Sequence, residues 1–267
     1  MSSITRSQSK LRSLGLPSWI NTSKLDWYGL SRNPNAIGFL KQHLEKIKWI
    51  CLSKNPNAEA IKLLRENMDK ICWDKLSRNP NIEAIQLLKE NMDEINWEGL
   101  SRNINVEAIE LLKENMGEID WYWLSRNPSA IELLKENIDN IDWECLSLNP
   151  NAIELLKKNT NKINWGLLSL NPNAIELLKE NPNKIVWVLL SKNPNAIELL
   201  KENFDKINWC NLSENPNAIE LLKENQDKIN WRFLSINPNA IELLKQNLDK
   251  IDWEYLSQNP NLFNHEE

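Results

Sequence analysis

Residues 163–184 read INWGLLSLNPNAIELLKENPNK, and the pattern W-x-x-L-S-x-N-P-N-x-I-x-L-L-K-x-N recurs along most of the 267-residue chain. Eleven tryptophans set its register at steps of 22 residues, with three consecutive steps of 24 residues. They are Trp27, Trp49, Trp73, Trp97, Trp121, Trp143, Trp165, Trp187, Trp209, Trp231 and Trp253, and they begin repeats 1 to 11. Self-similarity at a period of roughly 20–50 residues is typical of stacked repeat architectures.

The Asn-Pro-Asn signal predicts the start of an α-helix in each repeat. Asn149 is a good N-cap, Pro150 fits the first helical position, and Ile153, Leu155 and Leu156 form an apolar stripe. The asparagine that ends the stretch predicts a left-handed residue, followed by an apolar side chain that packs against the helix end. Such asparagines include Asn67, Asn91, Asn159, Asn203 and Asn225, and the apolar residues include Met68, Met92, Met116, Ile138, Phe204 and Leu248.

A second, shorter helix is predicted to begin at each tryptophan. Asp or Asn stands before the tryptophan, where it can cap the helix, at Asp120, Asp142, Asn164, Asn208, Asn230 and Asp252. The segment is so short that a 3₁₀ turn fits as well as an α-helix. A strand, as in leucine-rich repeats, is the rival interpretation, but the L-x-L-x-x-N alternation of those repeats is absent. We therefore predict an all-α fold, a tandem-repeat α-solenoid of eleven units.

Stacking must stabilise this solenoid, because a single repeat has too few apolar side chains to fold alone. Contacts that run only between adjacent repeats predict an elongated monomer. The serine and asparagine of L-S-x-N recur in every repeat, from Ser31 and Asn33 to Ser257 and Asn259. We expect them to form ladders that satisfy backbone groups at helix ends.

Composition argues against an enzyme and against a membrane protein. The net charge is −5, so the whole molecule is not an electrostatic nucleic-acid binder. No apolar run approaches the roughly 18–20 residues that span a bilayer. Two histidines and four dispersed cysteines leave no metal, acid–base or disulfide constellation. We expect no cofactor, no small-molecule substrate and a reducing compartment such as the cytoplasm.

Three regions are predicted along the chain. Residues 1–24 form a basic arm and cap, with Arg6, Lys10, Arg12 and Lys24 but no acidic residue; an organelle transit peptide is the alternative. Residues 25–263 form the solenoid, and residues 264–267 form a polar tail. We interpret that tail, in place of a further helix, as a cap against end-to-end polymerisation.

The repeat resembles the Trp/Asn-Pro-Asn tandem repeats found in proteins of giant DNA viruses of protists, and the likeness covers nearly the whole chain. More distantly, LSRNPNIEAIQLL at residues 76–88 is similar to the leucine-rich-repeat variant family. That second resemblance implies 3₁₀ and α-helices alternating in a superhelix. Some members of that family bind an iron–sulfur cluster, but the cysteines here do not cluster, so no cofactor is implied. The viral resemblance implies a location in the host cytoplasm or the virion.

The position after the conserved serine is cationic in repeats 1 to 5. The residues are Arg32, Lys54, Arg78, Arg102 and Arg126. With neighbouring helices about 8–10 Å apart they would form a ladder about 40 Å long. Such a ladder can meet an acidic protein segment or a phosphate backbone. The alternative is a solvated face whose charge is offset by glutamates of the second helix.

The two residues between tryptophan and leucine vary most, and several are large and apolar. Tyr122, Trp123, Phe233 and Tyr255 are candidate partner-binding residues, if they are exposed. The alternative is that they pack on adjacent repeats. The leading functional hypothesis is a non-enzymatic scaffold for protein–protein interaction, with an unidentified protein partner. A virion-associated assembly component and an anion- or nucleic-acid-binding protein are the alternatives.

Overall fold

The computed structural model describes residues 22–263, and within this range the chain is helical with no β-strand. The predicted all-α tandem-repeat solenoid is confirmed, and the rival strand interpretation is wrong. Most of the predicted basic arm, residues 1–21, and the polar tail, residues 264–267, lie outside the described residues. None of the helices between residues 22 and 263 combines the length and apolarity that crossing a bilayer requires.

Each tryptophan begins a short α-helix, the first helix of its repeat. The predicted caps are present: the Asp142 carboxylate, for example, accepts a hydrogen bond from Cys145 N at 2.8 Å. The bounds are Trp27–Arg32, Trp49–Leu52, Trp73–Leu76, Trp97–Ser101, Trp121–Arg126, Trp143–Leu146, Trp165–Leu170, Trp187–Leu190, Trp209–Glu214, Trp231–Ile236 and Trp253–Leu256.

The second helix of repeats 1 to 10 follows the Asn-Pro-Asn segment or its variants Asn-Ile-Asn (repeat 4) and Asn-Pro-Ser (repeat 5), and it is longest in the three 24-residue repeats. Its bounds are Ile37–Leu40, Ala58–Arg65, Ile82–Lys89, Val106–Glu114, Ile131–Glu136, Ile153–Lys157, Ile175–Lys179, Ile197–Lys201, Ile219–Lys223 and Ile241–Lys245. In several repeats the prolines open a 3₁₀ turn, capped by the preceding asparagine. These turns are Pro34–Ala36, Pro128–Ala130, Pro150–Ala152, Pro216–Ala218 and Pro260–Phe263.

A third element, which the two-helix prediction did not include, precedes each tryptophan. It is a 3₁₀ turn at Thr22–Lys24, Leu44–Lys46, Met68–Lys70, Met92–Glu94, Met116–Glu118, Ile138–Asn140, Thr160–Lys162, Pro182–Lys184, Phe204–Lys206, Gln226–Lys228 and Leu248–Lys250. The asparagine before it is not left-handed as predicted: Asn67 has φ −139°. Its amide donates to Leu63 O at 2.8 Å, so the side chain itself caps the second helix. The apolar residue that follows is exposed, as Met68 shows, and does not close the helix end.

The core is a continuous column of leucine, isoleucine and alanine, with Leu146 and its equivalents fully buried. The tryptophans are only half-buried and pack against this column from the side. Lysines of the 3₁₀ turns cover several of them; Lys162 Nζ lies 4.3 Å from the centre of the Trp143 ring. Each tryptophan therefore joins its first helix to the 3₁₀ turn that ends the repeat.

The predicted serine–asparagine ladder is present and connects every repeat to the one before it. Asn171 Nδ2 donates to the carbonyls of Ser147 and Asn149 at 3.0 and 2.9 Å, while its Oδ1 accepts from Asn173 N at 3.0 Å. The Ser147 hydroxyl donates to Trp143 O and accepts from Asn164 N, both at 3.0 Å. The conserved serines and asparagines are buried, and these bonds satisfy their polar atoms.

The stack closes on itself, so the predicted elongated shape is wrong. Asp26 N donates to Ser257 Oγ at 2.8 Å, Asn33 Nδ2 to Asn259 O at 3.1 Å, and Asn35 Nδ2 to Pro260 O at 2.8 Å. These are the bonds that join consecutive repeats elsewhere. Repeat 1 therefore follows repeat 11 as any repeat follows its neighbour, and the eleven repeats form a ring.

The amino-terminal end of the described chain completes the last repeat. Repeat 11 runs from Trp253 through Pro260–Phe263, and the turn Thr22–Lys24 takes the place of its 3₁₀ turn. Lys24 Nζ lies 5.2 Å from the centre of the Trp253 ring. In other repeats the lysine of the 3₁₀ turn covers the tryptophan in the same way, as Lys162 covers Trp143. Leu25 is buried at the position that isoleucine occupies in those repeats. The two ends of the described chain, residues 22–25 and residues 253–263, thus build one repeat.

Candidate functional site: a cationic wall with an arginine–tryptophan pocket

The five predicted cations lie at the ends of consecutive first helices, and we call this surface the cationic wall. Burial lowers the pKa of Lys54, and the nearby charges of Arg32, Lys75 and Arg78 lower it further. Burial likewise lowers the pKa of Arg102, with a contribution from Arg78. Neighbouring cations are therefore close enough to repel one another along the wall. A role for these residues in binding stays a prediction.

Two of the five cations are paired with carboxylates of their own or a neighbouring first helix. Arg102 Nη2 lies 2.5 Å from Glu98 Oε1, and Arg78 Nη2 lies 3.5 Å from the same oxygen and 3.6 Å from Asp74 Oδ1. These carboxylates belong to the first helices, not to the second helices as the alternative interpretation assumed. The second-helix glutamates instead pair with lysines of their own layer, as Glu110 does with Lys113.

The other three cations of the wall are unpaired within the described chain. No carboxylate among residues 22–263 lies within 4.0 Å of the charged nitrogens of Arg32, Lys54 or Arg126. Arg32 and Arg126 are exposed and Lys54 is half-buried. These side chains give the wall a net positive charge that no internal partner offsets.

Arg102 is held in place by an aromatic ring of the next repeat. Its guanidinium carbon lies 3.0 Å from the centre of the Trp123 ring, a cation–π contact. The Nε atoms of Arg102 and Arg78 are buried and have no hydrogen-bond partner in the described chain. Tyr122 lies edge-on to Trp123 at 4.8 Å. The Glu98 pair and the Trp123 ring together fix the orientation of the Arg102 guanidinium.

Between repeats 4 and 5 this arrangement leaves a pocket of about 290 Å³. Its lining combines two arginines, an indole and aliphatic carbon: Arg102, Ile104, Trp123, Arg126, Asn127 and Pro128. Three of the nine predicted site residues, Arg102, Trp123 and Arg126, thus meet in one cavity. We call it the arginine–tryptophan pocket.

Sequence reasoning did not identify Ile104 and Pro128 as site residues. A signal was available for Ile104, because repeat 4 is the one unit in which isoleucine replaces the proline of Asn-Pro-Asn. Ile104 is 54% exposed, so the substitution adds apolar surface without filling the core. Ser129 replaces the second asparagine of repeat 5 and donates to Ile104 O at 2.6 Å, which preserves the ladder beside the pocket.

The remaining predicted aromatic residues lie elsewhere on the ring. Phe233 and Tyr255 contact each other edge-on at 6.0 Å across repeats 10 and 11, and Arg232 lies 4.5 Å from the Tyr255 ring. Both are half-buried by this packing, as the alternative interpretation expected. Tyr122 is exposed, and its hydrogen bond with the Cys145 thiol raises the pKa of its hydroxyl.

No metal-binding group of three or more His, Cys, Asp or Glu side chains occurs between residues 22 and 263, and the four cysteines are unpaired. Comparisons with protein-family models, curated proteins and solved structures return no match. The cationic wall and its pocket are therefore the surfaces of this chain whose chemistry points to a binding partner.

Proposed function

We propose that the protein is a non-enzymatic scaffold that binds an acidic segment of a protein partner along the cationic wall from Arg32 to Arg126. The observation that carries this proposal is the row of unpaired cations Arg32, Lys54 and Arg126, with a fixed Arg102 between them. A chain of net charge −5 that places three unpaired cations in one row favours a local anionic partner. The host cytoplasm or virion is the location that the viral resemblance implies.

Two other functions receive less support. Nucleic-acid binders usually carry a basic surface larger than this wall, and Asp74 and Glu98 stand within it. An assembly component that stacks end to end needs free repeat surfaces at both ends. Here the surfaces of repeats 1 and 11 are bonded to each other. Nucleic-acid binding remains an outcome of the experiment that follows.

The test compares two triple variants that change the charge equally. Arg32→Glu/Lys54→Glu/Arg126→Glu reverses the unpaired cations of the wall. Lys179→Glu/Lys201→Glu/Lys223→Glu reverses three exposed lysines of the second helices, each paired with a glutamate of its own helix. Arg78 and Arg102 are left unchanged, because replacing them would break ion pairs within the fold.

The probes are an oligoglutamate peptide and a single-stranded oligothymidylate of equal charge, titrated against the full chain at two salt concentrations. We expect the peptide to bind more tightly than the oligonucleotide, and binding to weaken with salt. The wall variant should lose about tenfold in peptide affinity, since each exposed ion pair contributes about 0.2–1 kcal/mol. Equal losses in both variants, or tighter binding of the oligonucleotide, would contradict the proposal.

A further inference from the structure

We propose that the arginine–tryptophan pocket anchors the partner by a carboxylate that stands next to a large apolar side chain. This inference depends on the proposed function, because it names the chemical group of the partner that binds in the arginine–tryptophan pocket of the cationic wall. The carboxylate would pair with Arg126 and the adjoining edge of Arg102. The apolar side chain would lie against Trp123, Ile104 and Pro128.

The charges around the pocket favour a single negative charge. Arg126 is the one unpaired cation of the lining, while Arg102 already shares Glu98 with Arg78. Asp120 lies behind Trp123, where its carboxylate accepts from Trp123 N at 3.2 Å, and its charge acts on Arg102. A doubly charged phosphate would meet repulsion from Glu98 and Asp120, whereas a carboxylate needs only one free guanidinium.

The shape and lining of the pocket favour an apolar group beside that charge. Ligand pockets range from about 300 to 1,000 Å³, so a cavity of about 290 Å³ fits a group the size of one side chain. Ile104 and Pro128 supply aliphatic surface, and the indole of Trp123 supplies a flat wall. Because Trp123 and Glu98 already orient Arg102, little side-chain freedom is lost when a ligand binds.

Four small probes separate charge from apolar contact. N-acetylphenylalanine presents a terminal carboxylate, and N-acetyl-Asp-Phe-amide presents a side-chain carboxylate beside the same ring. N-acetylphenylalaninamide is the neutral analogue, and phenyl phosphate carries the higher charge. Binding to the full chain is followed by NMR through the indole N–H of Trp123, assigned with Trp123→Phe.

We expect one or both carboxylate probes to shift the Trp123 signal, and the tighter of the two identifies the source of the carboxylate. The neutral amide should bind about tenfold more weakly, the loss expected for one charge-assisted hydrogen bond. Arg126→Gln should remove that difference, while the matched second-helix variant Lys223→Gln should not. Arg126 is exposed and unpaired in the described chain, so its replacement leaves the fold intact.

Three results would overturn the inference. They are tighter binding of phenyl phosphate than of either carboxylate, equal binding of the amide and the carboxylates, and unchanged affinity in Arg126→Gln. Each is distinguishable from failure of the proposed function. If the oligoglutamate peptide binds the wall but the carboxylate probes do not bind the pocket, only this further inference is wrong. If neither binds, both are wrong.

Discussion

The side-chain amide of Asn33 donates a hydrogen bond of 3.1 Å to the carbonyl oxygen of Asn259, 226 residues later in the chain. Asn171 makes the same bond to Asn149 at 2.9 Å between consecutive repeats. The first and last repeats are therefore joined by the same hydrogen bond that joins consecutive repeats. Closure gives each repeat two neighbours, so repeats 1 and 11 cover each other's stacking surfaces within the described chain.

Ring closure predicts a short distance between the two ends of the repeat array. We expect spin labels at Gly38 in repeat 1 and Glu254 in repeat 11 to lie within about 30 Å of each other, the range for adjacent repeats. A side chain added at Gly38 meets no atom within 4 Å, so the label is tolerated there. An open stack, with about 8–10 Å between helices, would separate the sites by about 80–100 Å.

Pulsed electron–electron double resonance measures this distance between labels on cysteines introduced at the two sites, after the four native cysteines have been replaced. The control pair joins Gly38 to Lys158, an exposed residue of repeat 6 on the opposite side of the ring. In a ring, repeat 1 is closer to repeat 11 than to repeat 6. A Gly38–Glu254 distance longer than the Gly38–Lys158 distance would show that the array is open.

The repeat units could be predicted from sequence because local chemistry decides them. Asn149 with Pro150 opens the turn that leads into the second helix, and the buried leucines follow from the apolar spacing. Closure could not be predicted in this way. Whether eleven repeats form a ring or an open superhelix depends on a small rotation at each interface, accumulated over the whole stack.

The prediction at Asn67 was wrong for a different reason. Asparagine tolerates the left-handed conformation, but it can also cap a helix with its own side chain, and the Asn67–Leu63 hydrogen bond shows that the side chain caps the helix here.

The candidate site was partly predictable from the sequence. The charged residues of the wall were visible in the repeat alignment, whereas the pocket also required the exposed Ile104 and the stacking of Arg102 on Trp123.

Half-burial of the tryptophans lowers the stability that each one contributes. From sequence, Trp143→Ala is expected to cost about 3–5 kcal/mol, the range for a fully buried aromatic residue. For a half-buried ring we expect about 1.5–2.5 kcal/mol. Leu146→Ala, at a fully buried position of the same helix, should cost about 2–5 kcal/mol. Urea unfolding compares the two variants, and a larger loss for Trp143→Ala would show that the ring matters more than the core leucine.

The asparagine ladder predicts a large difference between two residues of one Asn-Pro-Asn segment. Asn171 is buried and makes three hydrogen bonds, so Asn171→Ala removes three bonds of the ladder at once and should cost about 3 kcal/mol. Asn173 is exposed and bonds Pro150 O at 3.0 Å, so Asn173→Ala should cost about 0.5–1.5 kcal/mol. Thermal and urea unfolding measure both. Equal costs would mean that water replaces the ladder bonds.

Arg102 and Arg126 are predicted to differ in what they contribute to stability, although both line the pocket. Arg102 pairs with Glu98 and stacks on Trp123, and its side chain is 26% exposed. Arg102→Gln should therefore cost about 1–2 kcal/mol. Arg126→Gln should change the free energy of unfolding by less than about 0.5 kcal/mol, because its side chain has no ion-pair partner in the described chain to lose.

A double-mutant cycle with Trp123→Leu separates stacking from the ion pair. If stacking orients Arg102, the losses from Arg102→Gln and Trp123→Leu should be non-additive by about 0.5–2 kcal/mol. Arg126→Gln and Trp123→Leu should add. Additive losses for Arg102 and Trp123 would mean that the indole does not hold the guanidinium. The pocket would then lack the fixed cation on which selective recognition of a carboxylate depends.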